Sequence, residues 1–246
     1  MTCLVLRLAG PMQAWGTGSR FAYRGTDTHP SKSAVLGLLA AAQGRRRTDP
    51  IEDLLSLRFG VRCDQPGSIV RDFQTARALD ESYALPLTYR FYLSDACFAA
   101  AVEGEDGLIE GLIEALQRPA FPLYLGRRSC PPAQPVLVGV RRGPLNEVLG
   151  STDPKEGIEW GAHRSYRRDQ PPQVELEIVR DASAGEPPHD RLADAPVTFD
   201  PRHRRYAMRQ VVRETVKVAN PDSRRERSAA GGGTVTDHSP FSLMEH

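Results

Sequence analysis

The chain has 246 residues, of which 40% are hydrophobic and 26% charged, and its formal net charge at pH 7 is +1. These values are ordinary for a globular protein, and they exclude a chain too small to bury a core without disulfides or metals. No run of about 18 or more apolar residues occurs, so we expect no membrane span and take the cytoplasm as the compartment.

Strands and helices alternate along the first part of the chain. Residues 3–9 are apolar and end at a Gly-Pro pair, which predicts a buried strand. Residues 31–44 predict a helix that begins at Ser31 or Ser33 and ends at a glycine. A second, short helix is expected over residues 49–57, with the first aspartate as its cap.

Residues 58–140 contain the remaining predicted strands and helix of this first part. Residues 58–64 alternate between apolar and polar and predict a strand, and residues 89–102 predict one or two more. Residues 106–117 have the apolar period of a helix, and residues 135–140 predict another strand. The order strand, helix, strand, strand, helix, strand is ferredoxin-like and is shared by RNA-recognition modules. We therefore predict an α+β fold.

The connection between the second and third strands is long for this fold. It spans residues 68–93 and predicts a projecting hairpin, with a disordered surface loop as the alternative. Its basic and aromatic residues include Arg71, Phe73, Arg77, Tyr83, Tyr89 and Arg90.

The character of the sequence changes after about residue 145. Residues 174–181 and 204–218 predict strands of a smaller β-rich part, and residues 184–196 predict a loop. The end of the chain is rich in glycine and serine, carries an arginine cluster and predicts a flexible tail. The resulting divisions are 1–145, 146–219 and 220–246.

Arginine makes up 29 of the 32 basic residues, because lysine occurs only at Lys32, Lys155 and Lys217. Arginine forms paired bonds to phosphate and stacks on bases, so this bias favours a nucleic-acid partner, although a GC-rich genome produces the same bias. The four cysteines are widely spaced and lack zinc-ligand spacing. We predict reduced, buried thiols, and no metal or other cofactor.

Two segments near the start combine a turn or a helix start with groups that bond anions. Gln13 and Trp15 follow the first strand, where the amide suits a base edge or a phosphate and the indole suits packing of the turn. Ser31, Lys32 and Ser33 lie where a helix begins, and its free N–H groups and dipole favour an anion. A capped helix without a ligand is the commoner case.

A third segment is LYLGRRSCPP, residues 123–132. Gly126 permits a tight turn. Arg127 and Arg128 point to opposite sides if the chain is extended, so at most one of them faces a given phosphate. Taken alone, the segment predicts a solvated turn.

Motifs for catalysis are missing from the sequence. It contains no Ser-His-Asp spacing, no H-E-x-x-H motif and no aspartate-rich metal cluster. A metal-independent ribonuclease needs a base and a cation beside a 2′-hydroxyl, and Tyr23, His29 and Lys32 are the residues for that role. A loop histidine before a proline is more often structural.

Six segments occur in one order: LRLAGPMQAWG, HPSKSAVLGLLAAAQG, VRCD, VRDFQT, YRFYLSDACFAAAV and FPLYLGRRSCPPAQPVLVG. Together they resemble the CasD family, the Cas-five subunit of type I-E CRISPR Cascade. The resemblance covers roughly residues 3–140 and is thin beyond about residue 150.

The resemblance implies a RAMP-type, ferredoxin-like (RRM-like) palm with a thumb hairpin at about residues 71–92 and a smaller C-terminal β-rich part. Such proteins hold the 5′ handle of crRNA and cap the backbone filament. They contact the large subunit and the neighbouring filament subunit, and the thumb helps to order the guide against target DNA. The type I-E subunit is regarded as non-catalytic, whereas a type I-C relative cuts the precursor RNA.

The resemblance also implies that the glycine-containing loop and the surface beside it bind RNA. The residues expected to do so are Gln13, Trp15, Ser31, Lys32, Ser33, Arg71, Phe73, Arg77, Tyr89, Arg90, Gly126, Arg127, Arg128 and Ser129. No catalytic residue and no metal ligand is expected. The family often has an arginine at the position of Lys32, and a lysine keeps the charge but loses the paired bond.

Three functions remain to be separated. A non-enzymatic RNA-binding subunit of an antiviral surveillance complex predicts salt-sensitive binding of handle RNA without cleavage. A metal-independent endoribonuclease of repeat RNA predicts cleavage without magnesium that is lost on changing His29 or Lys32. An interaction module that binds no RNA predicts that changing Arg127 and Arg128 to alanine leaves assembly unaffected. The set of motifs favours the first.

Overall fold

The computed structural model describes residues 1–16 and 22–224. Its strands are β1 (Thr2–Ala9), β2 (Met12–Gln13), β3 (Tyr23–Arg24), β4 (Arg58–Gln65), β5 (Ser68–Gln74), β6 (Thr88–Ser94), β7 (Cys97–Gly104), β8 (Leu137–Arg142), β9 (Gln173–Asp181), β10 (Asp190–Thr198) and β11 (Arg205–Ala219). Its helices are α1 (Lys32–Ala42), α2 (Glu52–Leu55), α3 (Asp106–Gln117), α4 (Leu145–Gly150) and α5 (Arg164–Arg168).

Seven strands form the main sheet in the order β10-β11-β9-β4-β7-β1-β8, and all neighbouring strands are antiparallel. Successive side chains of a strand point to opposite faces. Leu4, Leu6 and Leu8 of β1 therefore lie in one core cluster with α1 and α3, while Cys3 and Val5 lie in another with α4. Apolar side chains on both faces of β1 and β7 place these strands at the centre of the molecule.

Helices α1 and α3 cover the first face. Helix α1 begins where expected, at Ser31, whose hydroxyl oxygen accepts a hydrogen bond from the backbone N–H of Ala34. Helix α3 turns Ile109, Leu112 and Leu116 into the core, which is the stripe that a 3.6-residue period predicts. Both predicted helices are confirmed.

A buried arginine fastens the segment after α4 to the second face. Arg62 of β4 is fully buried, and its guanidinium donates to the Asp64 carboxylate. It also donates to the carbonyl oxygens of Leu149, Ser151 and Ile158, at 3.1, 3.2 and 2.7 Å. A buried charge is tolerated when its hydrogen bonds are satisfied, and these bonds hold the connection between α4 and α5 against the sheet.

Four charged side chains form a buried network, the ionic quartet, between α1 and the C-terminal strands. Lys32 Nζ lies 2.8 Å from Asp181, and Arg209 lies 2.8 Å from Asp181 and 2.6 Å from Asp194. The Asp194 carboxylate also accepts the backbone N–H of Lys32 at 2.8 Å, at the start of α1. Two positive and two negative charges thus offset each other, and each comes from a different element.

A smaller sheet is built around β6. This strand pairs with β2 and β5 in antiparallel fashion and with β3 in parallel. Strands β5 and β6 form a hairpin over residues 68–94, and an isolated bridge joins Arg77 to Ala84 beyond the strand ends. Almost every residue of β5 is exposed. A hairpin therefore occupies the stretch where the sequence predicted one.

Several sequence expectations were wrong in detail. Residues 184–196 were expected to be a loop, but β10 occupies 190–198 at the edge of the sheet. Its polar residues, its Pro196 and the irregular register with β11 conceal the strand pattern. The cap of α2 is Ile51, while the Asp49 carboxylate accepts the backbone N–H of Arg46. Helices α4 and α5 were not expected.

The first residues of the predicted tail, 220–224, lie against the rest of the protein. Asn220 is buried, and its amide donates to the carbonyl oxygens of Arg167 and Pro171 at 2.7 and 3.0 Å. Asp222 pairs with Arg164 and Arg167. Residues 220–224 therefore pack against α5, and the remainder of the predicted tail, 225–246, lies outside the described residues. Within the described ranges, no helix is long and apolar enough to cross a membrane.

We predict that Asp194→Ala lowers the free energy of unfolding by about 3–5 kcal/mol, because it leaves Arg209 short of a partner inside the protein. Urea denaturation measures this loss. The control is Glu175→Ala, which breaks an exposed pair with Lys217 at 3.7 Å and is expected to cost less than about 1 kcal/mol. Equal losses in the two variants would contradict a structural role for the quartet.

Candidate nucleic-acid interface

A groove with a volume of about 720 Å³ lies between α1, the loop over residues 121–128 and the turn that joins β10 to β11. Arginines and aromatic residues from separate parts of the chain line it. They are Arg45, Arg46, Arg47, Phe121, Tyr124, Arg128, Phe199, Arg204 and Tyr206. We call this surface the arginine groove.

The charge of the groove is largely uncompensated. Arg45 is paired with Asp53, and this pairing lowers the pKa of the aspartate. Arg46, Arg47, Arg128 and Arg204 are exposed, and none of them forms an ion pair with a carboxylate of the described residues. Four free guanidinium groups beside exposed rings suit a polyanion that also carries flat bases.

A close backbone contact fixes one wall of the groove. Gly126 has a φ of +86°, and a Cβ at this position would lie 1.7 Å from the carbonyl oxygen of Ala14. The Ala14 N–H donates to the Leu125 carbonyl at 3.1 Å, and the Leu125 N–H donates to the Cys130 carbonyl at 2.7 Å. Only glycine fits this approach, so the loop is docked on the chain that follows β1.

The two arginines after this glycine point in different directions, although the chain is not extended here: the Cys130 N–H donates to the Arg127 carbonyl at 2.9 Å and closes a turn. Arg127 donates to the carbonyl oxygens of Arg24, Gly25 and Phe91, at 2.7, 3.2 and 3.2 Å, and lies over the Tyr92 ring. Arg128 lines the arginine groove instead. Arg127 is therefore engaged within the protein, contrary to the expectation of RNA contact, while Arg128 and the exposed Ser129 stay accessible.

Gln13 and Trp15 are placed differently from the expectation. Both are buried, and Trp15 Nε1 donates to Gln13 Oε1 at 2.9 Å. The Gln13 amide nitrogen donates to the carbonyl oxygens of Leu8 and Ala96 at 3.1 and 2.7 Å. The polar groups of both side chains are thus used inside the core, and the expected direct contact with RNA does not fit this placement.

The start of α1 is also occupied by the protein itself. The carboxylate of Asp194 accepts the Lys32 N–H, and Asp181 holds the Lys32 ammonium. Ser31 is buried as the helix cap. The anion expected at this helix start is therefore Asp194. Ser31 and Ser33 both line the groove, Ser31 from its buried position as the helix cap, whereas Lys32 does not.

The hairpin residues divide between two faces of the small sheet. On one face Tyr89 stacks on Tyr23, with ring centroids 5.3 Å apart, and the Arg71 guanidinium lies 5.5 Å from the Tyr89 centroid. Phe73 is paired directly with Tyr89 across the hairpin and is 62% exposed. Arg77 is exposed near the hairpin tip. We call the Tyr23, Arg71, Phe73 and Tyr89 side chains the aromatic platform.

The other face of the small sheet carries arginines. Arg24 is the register partner of Arg90, and the Arg127 guanidinium lies over Tyr92 on that face. Buried Nε of Arg90 has no hydrogen-bond partner within residues 1–16 and 22–224. This face therefore gathers three arginines beside the Gly126 loop, together with Asp72 of β5, which is the register partner of Arg90.

The three residues considered for catalysis do not meet. Lys32 is bonded to Asp181, Tyr23 stacks on Tyr89, and His29 lines a separate small cavity. No group of three or more metal-binding side chains is found in the described part of the chain. The four cysteines are free; Cys3, Cys97 and Cys130 are buried, as expected, whereas Cys63 is half-buried. Burial raises the pKa of the Cys3 and Cys97 thiols to about 12.

Sequence reasoning missed part of the groove. Arg46 and Arg47 belong to a visible run of three arginines after α1, which is a recognised sign of a basic patch. Tyr124 lies in the segment 123–132 that was considered for its arginines, and Phe121 lies two residues before it. Arg204 belongs to a basic stretch, residues 202–205, but its place in the groove could not be predicted, because only the pairing of β10 with β11 brings it there.

Comparison with known proteins defines the class first. The sequence profile of a family described as CRISPR-associated protein (Cas5) matches residues 3–212. In Escherichia coli (strain K12), the CRISPR system Cascade subunit CasD is 34% identical over 200 residues, which cover 70% of this chain and 89% of that protein. The chain belongs to this Cas5 family, in its CasD group, which confirms the resemblance seen in the six sequence segments.

Two solved structures are similar to the chain. One, titled "Crystal structure of Cas protein", is 35% identical in sequence with a TM-score of 0.63, and the match covers 90% of this chain and 97% of the chain in that structure. The other, titled "CRISPR RNA-guided surveillance complex", is 30% identical with a TM-score of 0.71 and covers 90% and 92%. The mixed α and β architecture is thus that of known Cas proteins.

We predict that Gly126→Ala destabilises the protein by about 1–3 kcal/mol or more, because alanine at positive φ is strained and its Cβ collides with the Ala14 carbonyl. Amide hydrogen exchange of residues 13–15 and 124–130 should rise, since the loop must leave its docking position. The control is Gly111→Ala in α3, where a Cβ meets nothing within 4 Å, and where a gain of up to about 1 kcal/mol is expected. Unchanged exchange in Gly126→Ala would contradict this account of the loop.

Proposed function

We propose that the chain is a non-catalytic subunit of a Cascade-type CRISPR RNA-guided surveillance complex in antiviral defence, where it binds the 5′ handle of crRNA and caps the backbone filament. The observation that carries this proposal is the arginine groove, with four exposed arginines free of carboxylate partners among the described residues. Membership of the CasD group supports it, because that relative is named as a Cascade subunit.

The palm and the thumb are parts of the same proposal. Strands β8, β1, β7 and β4 are neighbours in that order, and α1 and α3 share one face of them. This strand order supports the ferredoxin-like, RAMP-type palm that we propose. We assign the palm to residues 1–145, the thumb to the hairpin at about 71–92 and the smaller β-rich part to 146–219, whose strands β9 and β11 continue the palm sheet.

RNA would be held mainly through its backbone. Guanidinium groups form charge-assisted bonds to phosphate oxygens, and the groove offers Arg46, Arg47, Arg128 and Arg204 for them. Ser33 and Ser129 border these arginines and can donate hydroxyl hydrogen bonds. On the hairpin, Arg71, Arg77 and Arg90 supply further charge, and Phe73 and Tyr89 supply rings for stacking.

Two observations favour binding over cleavage. The Lys32 ammonium, the cation required by the endoribonuclease alternative, is bonded to Asp181 in the core. Tyr23 stacks on Tyr89, and His29 lines a separate small cavity, so these two side chains do not form one site with the Lys32 ammonium. The metal-independent endoribonuclease therefore stands as the second candidate.

The proposal also assigns partners and a compartment. The large subunit and the neighbouring filament subunit would contact this chain, and target DNA would meet it only through the guide. The acidic residues Glu110 and Glu114 of α3 lie on a helix face directed away from the core, so positive charge is left to the groove and the hairpin. We place the complex in the cytoplasm.

We predict that the purified chain binds its cognate repeat RNA in EDTA and leaves it intact on a denaturing gel. Binding should weaken steeply with salt, because each arginine on a phosphate releases counterions. Arg46→Ala/Arg47→Ala should reduce the slope of log K against log salt by about 1.4, at about 0.7 for each contact to single-stranded RNA. Arg128→Ala should weaken binding about tenfold.

The matched control is Arg142→Ala. Arg142 is exposed and pairs with Thr2 at the start of β1, whereas the groove lies beyond the end of that strand, beside Ala14. This variant should keep the parent affinity and salt slope. A discrete cut within the repeat would establish the endoribonuclease instead, and equal losses in Arg128→Ala and Arg142→Ala would refute the groove as the binding site.

A further inference from the structure

The hairpin is joined to the main sheet by two short connections that lie side by side. Strand β5 follows β4 after two residues, and β7 follows β6 after two residues. Ser68 at the start of β5 is the register partner of Ser94 at the end of β6, and β4 and β7 are neighbours in the main sheet. Both strands of the hairpin therefore leave the main sheet at the same level. We call residues 65–67 and 94–96 the joint.

Both connections of the joint have a backbone conformation that few side chains adopt. Gly67 has a φ of +69°, and a Cβ at this position would lie 2.3 Å from the Ser94 carbonyl oxygen. Asp95 in the other connection has a φ of +55°, although its side chain is exposed and has no packing role. A residue with a Cβ keeps such a conformation where the surrounding structure imposes it. The close contact between the two connections is part of what imposes it here.

Two buried glutamines bond the backbone of the second connection. The Gln65 amide nitrogen donates to the Asp95 carbonyl oxygen at 2.6 Å, and its Oε1 accepts the backbone N–H of His163 at 3.0 Å. The Gln13 amide nitrogen donates to the Ala96 carbonyl oxygen at 2.7 Å. Both glutamines are buried, so water cannot replace a lost bond without cost. The peptide groups of residues 95 and 96 therefore cannot turn freely.

The other contacts of the hairpin hold one of its two strands. Strand β6 pairs with β2 and β3, and the Arg127 guanidinium lies over Tyr92 of this strand. Within residues 1–16 and 22–224, β5 pairs with β6 alone, and almost all of its residues are exposed. The joint is therefore the place where the β5 side of the hairpin is attached to the main sheet.

We propose that the joint fixes the direction of the hairpin relative to the main sheet before any ligand binds, and that Gln65 is its positioning residue. The consequence for RNA rests on the proposed function. A hairpin that is already directed loses less conformational freedom on binding, so the complex is tighter. Gln13 extends the joint to the arginine groove, because its Oε1 accepts Trp15 Nε1 and Trp15 lines that groove.

The test measures the distance between two spin labels on the full chain by pulsed electron paramagnetic resonance. The labels are attached through Leu79→Cys near the hairpin tip and Glu114→Cys on α3, both at exposed positions. Cys63→Ser removes the half-buried native thiol, and the other three cysteines are buried. This labelled parent chain should give a single narrow distribution of distances in the absence of RNA.

Substitutions within the joint should broaden that distribution. Gln65→Glu keeps an acceptor for the His163 N–H, but an ionised carboxylate cannot donate to the Asp95 carbonyl. Asp95→Val should broaden the distribution as well, because a β-branched residue disfavours positive φ. The matched control is Asp95→Asn, which tolerates this conformation and should keep the narrow distribution. If urea denaturation shows that Gln65→Glu is unfolded, the two Asp95 variants decide the question.

Repeat RNA then separates this inference from the proposed function. Asp95→Val should bind RNA about three- to tenfold more weakly at an unchanged salt slope, because the phosphate contacts remain and the cost of ordering the hairpin is added. Narrow distributions in all variants, or a broad one in the labelled parent, would overturn the joint. If the distances respond as expected but RNA affinity does not, the joint stands and the part of the hairpin in RNA binding is refuted. A chain that binds no RNA but shows the expected distances would overturn the proposed function alone.

Discussion

Two aspartates and two cations in the core determine where the C-terminal strands lie. Lys32, Asp181, Asp194 and Arg209 come from α1, β9, β10 and β11, and the Asp181 carboxylate also accepts the backbone N–H of Phe59 in β4. Burying four charges is costly unless each finds its partner, so the arrangement penalises any other placement of these elements. The turn between β10 and β11 forms one wall of the arginine groove. The ion pairs of Asp194 and Arg209, which hold these two strands in place, therefore also fix the position of that wall.

The opposite wall depends on a backbone contact and not on charge. Gly126 brings its loop against the Ala14 carbonyl, and the chain direction after it sends Arg127 to the small sheet and Arg128 to the groove. The same short segment thus contacts the small sheet and lines the groove, and it supplies one arginine to each. Because Asp194 fills the start of α1, positive charge at the groove comes from arginine side chains and little from the helix dipole.

Local pattern predicted the elements whose residues alternate or repeat clearly, such as β1 and α3. Local pattern did not predict β10. This strand pairs with a neighbour on one side only and contains Pro196, so its residues do not alternate between apolar and polar. For the candidate site, residue type indicated which side chains could bond a phosphate or stack on a base, but the burial of these side chains could not be predicted from one sequence. Gln13 and Trp15 have polar groups that could bond RNA, but these groups form a hydrogen bond with each other inside the core. Arg204 reaches the groove only through tertiary pairing.

The position of β9 has a consequence for synthesis of the chain. Strand β9 lies between β4 and β11, but it follows β4 late in the sequence. While the ribosome is still translating residues before 173, β4 has β7 on one side and an open edge on the other. Open edges pair readily with strands of other chains, so this edge of β4 is a place for such pairing until β9 covers it. Asp181 is the last residue of β9 and the ion-pair partner of Lys32. The strand that covers the β4 edge therefore also brings the carboxylate that neutralises this buried lysine.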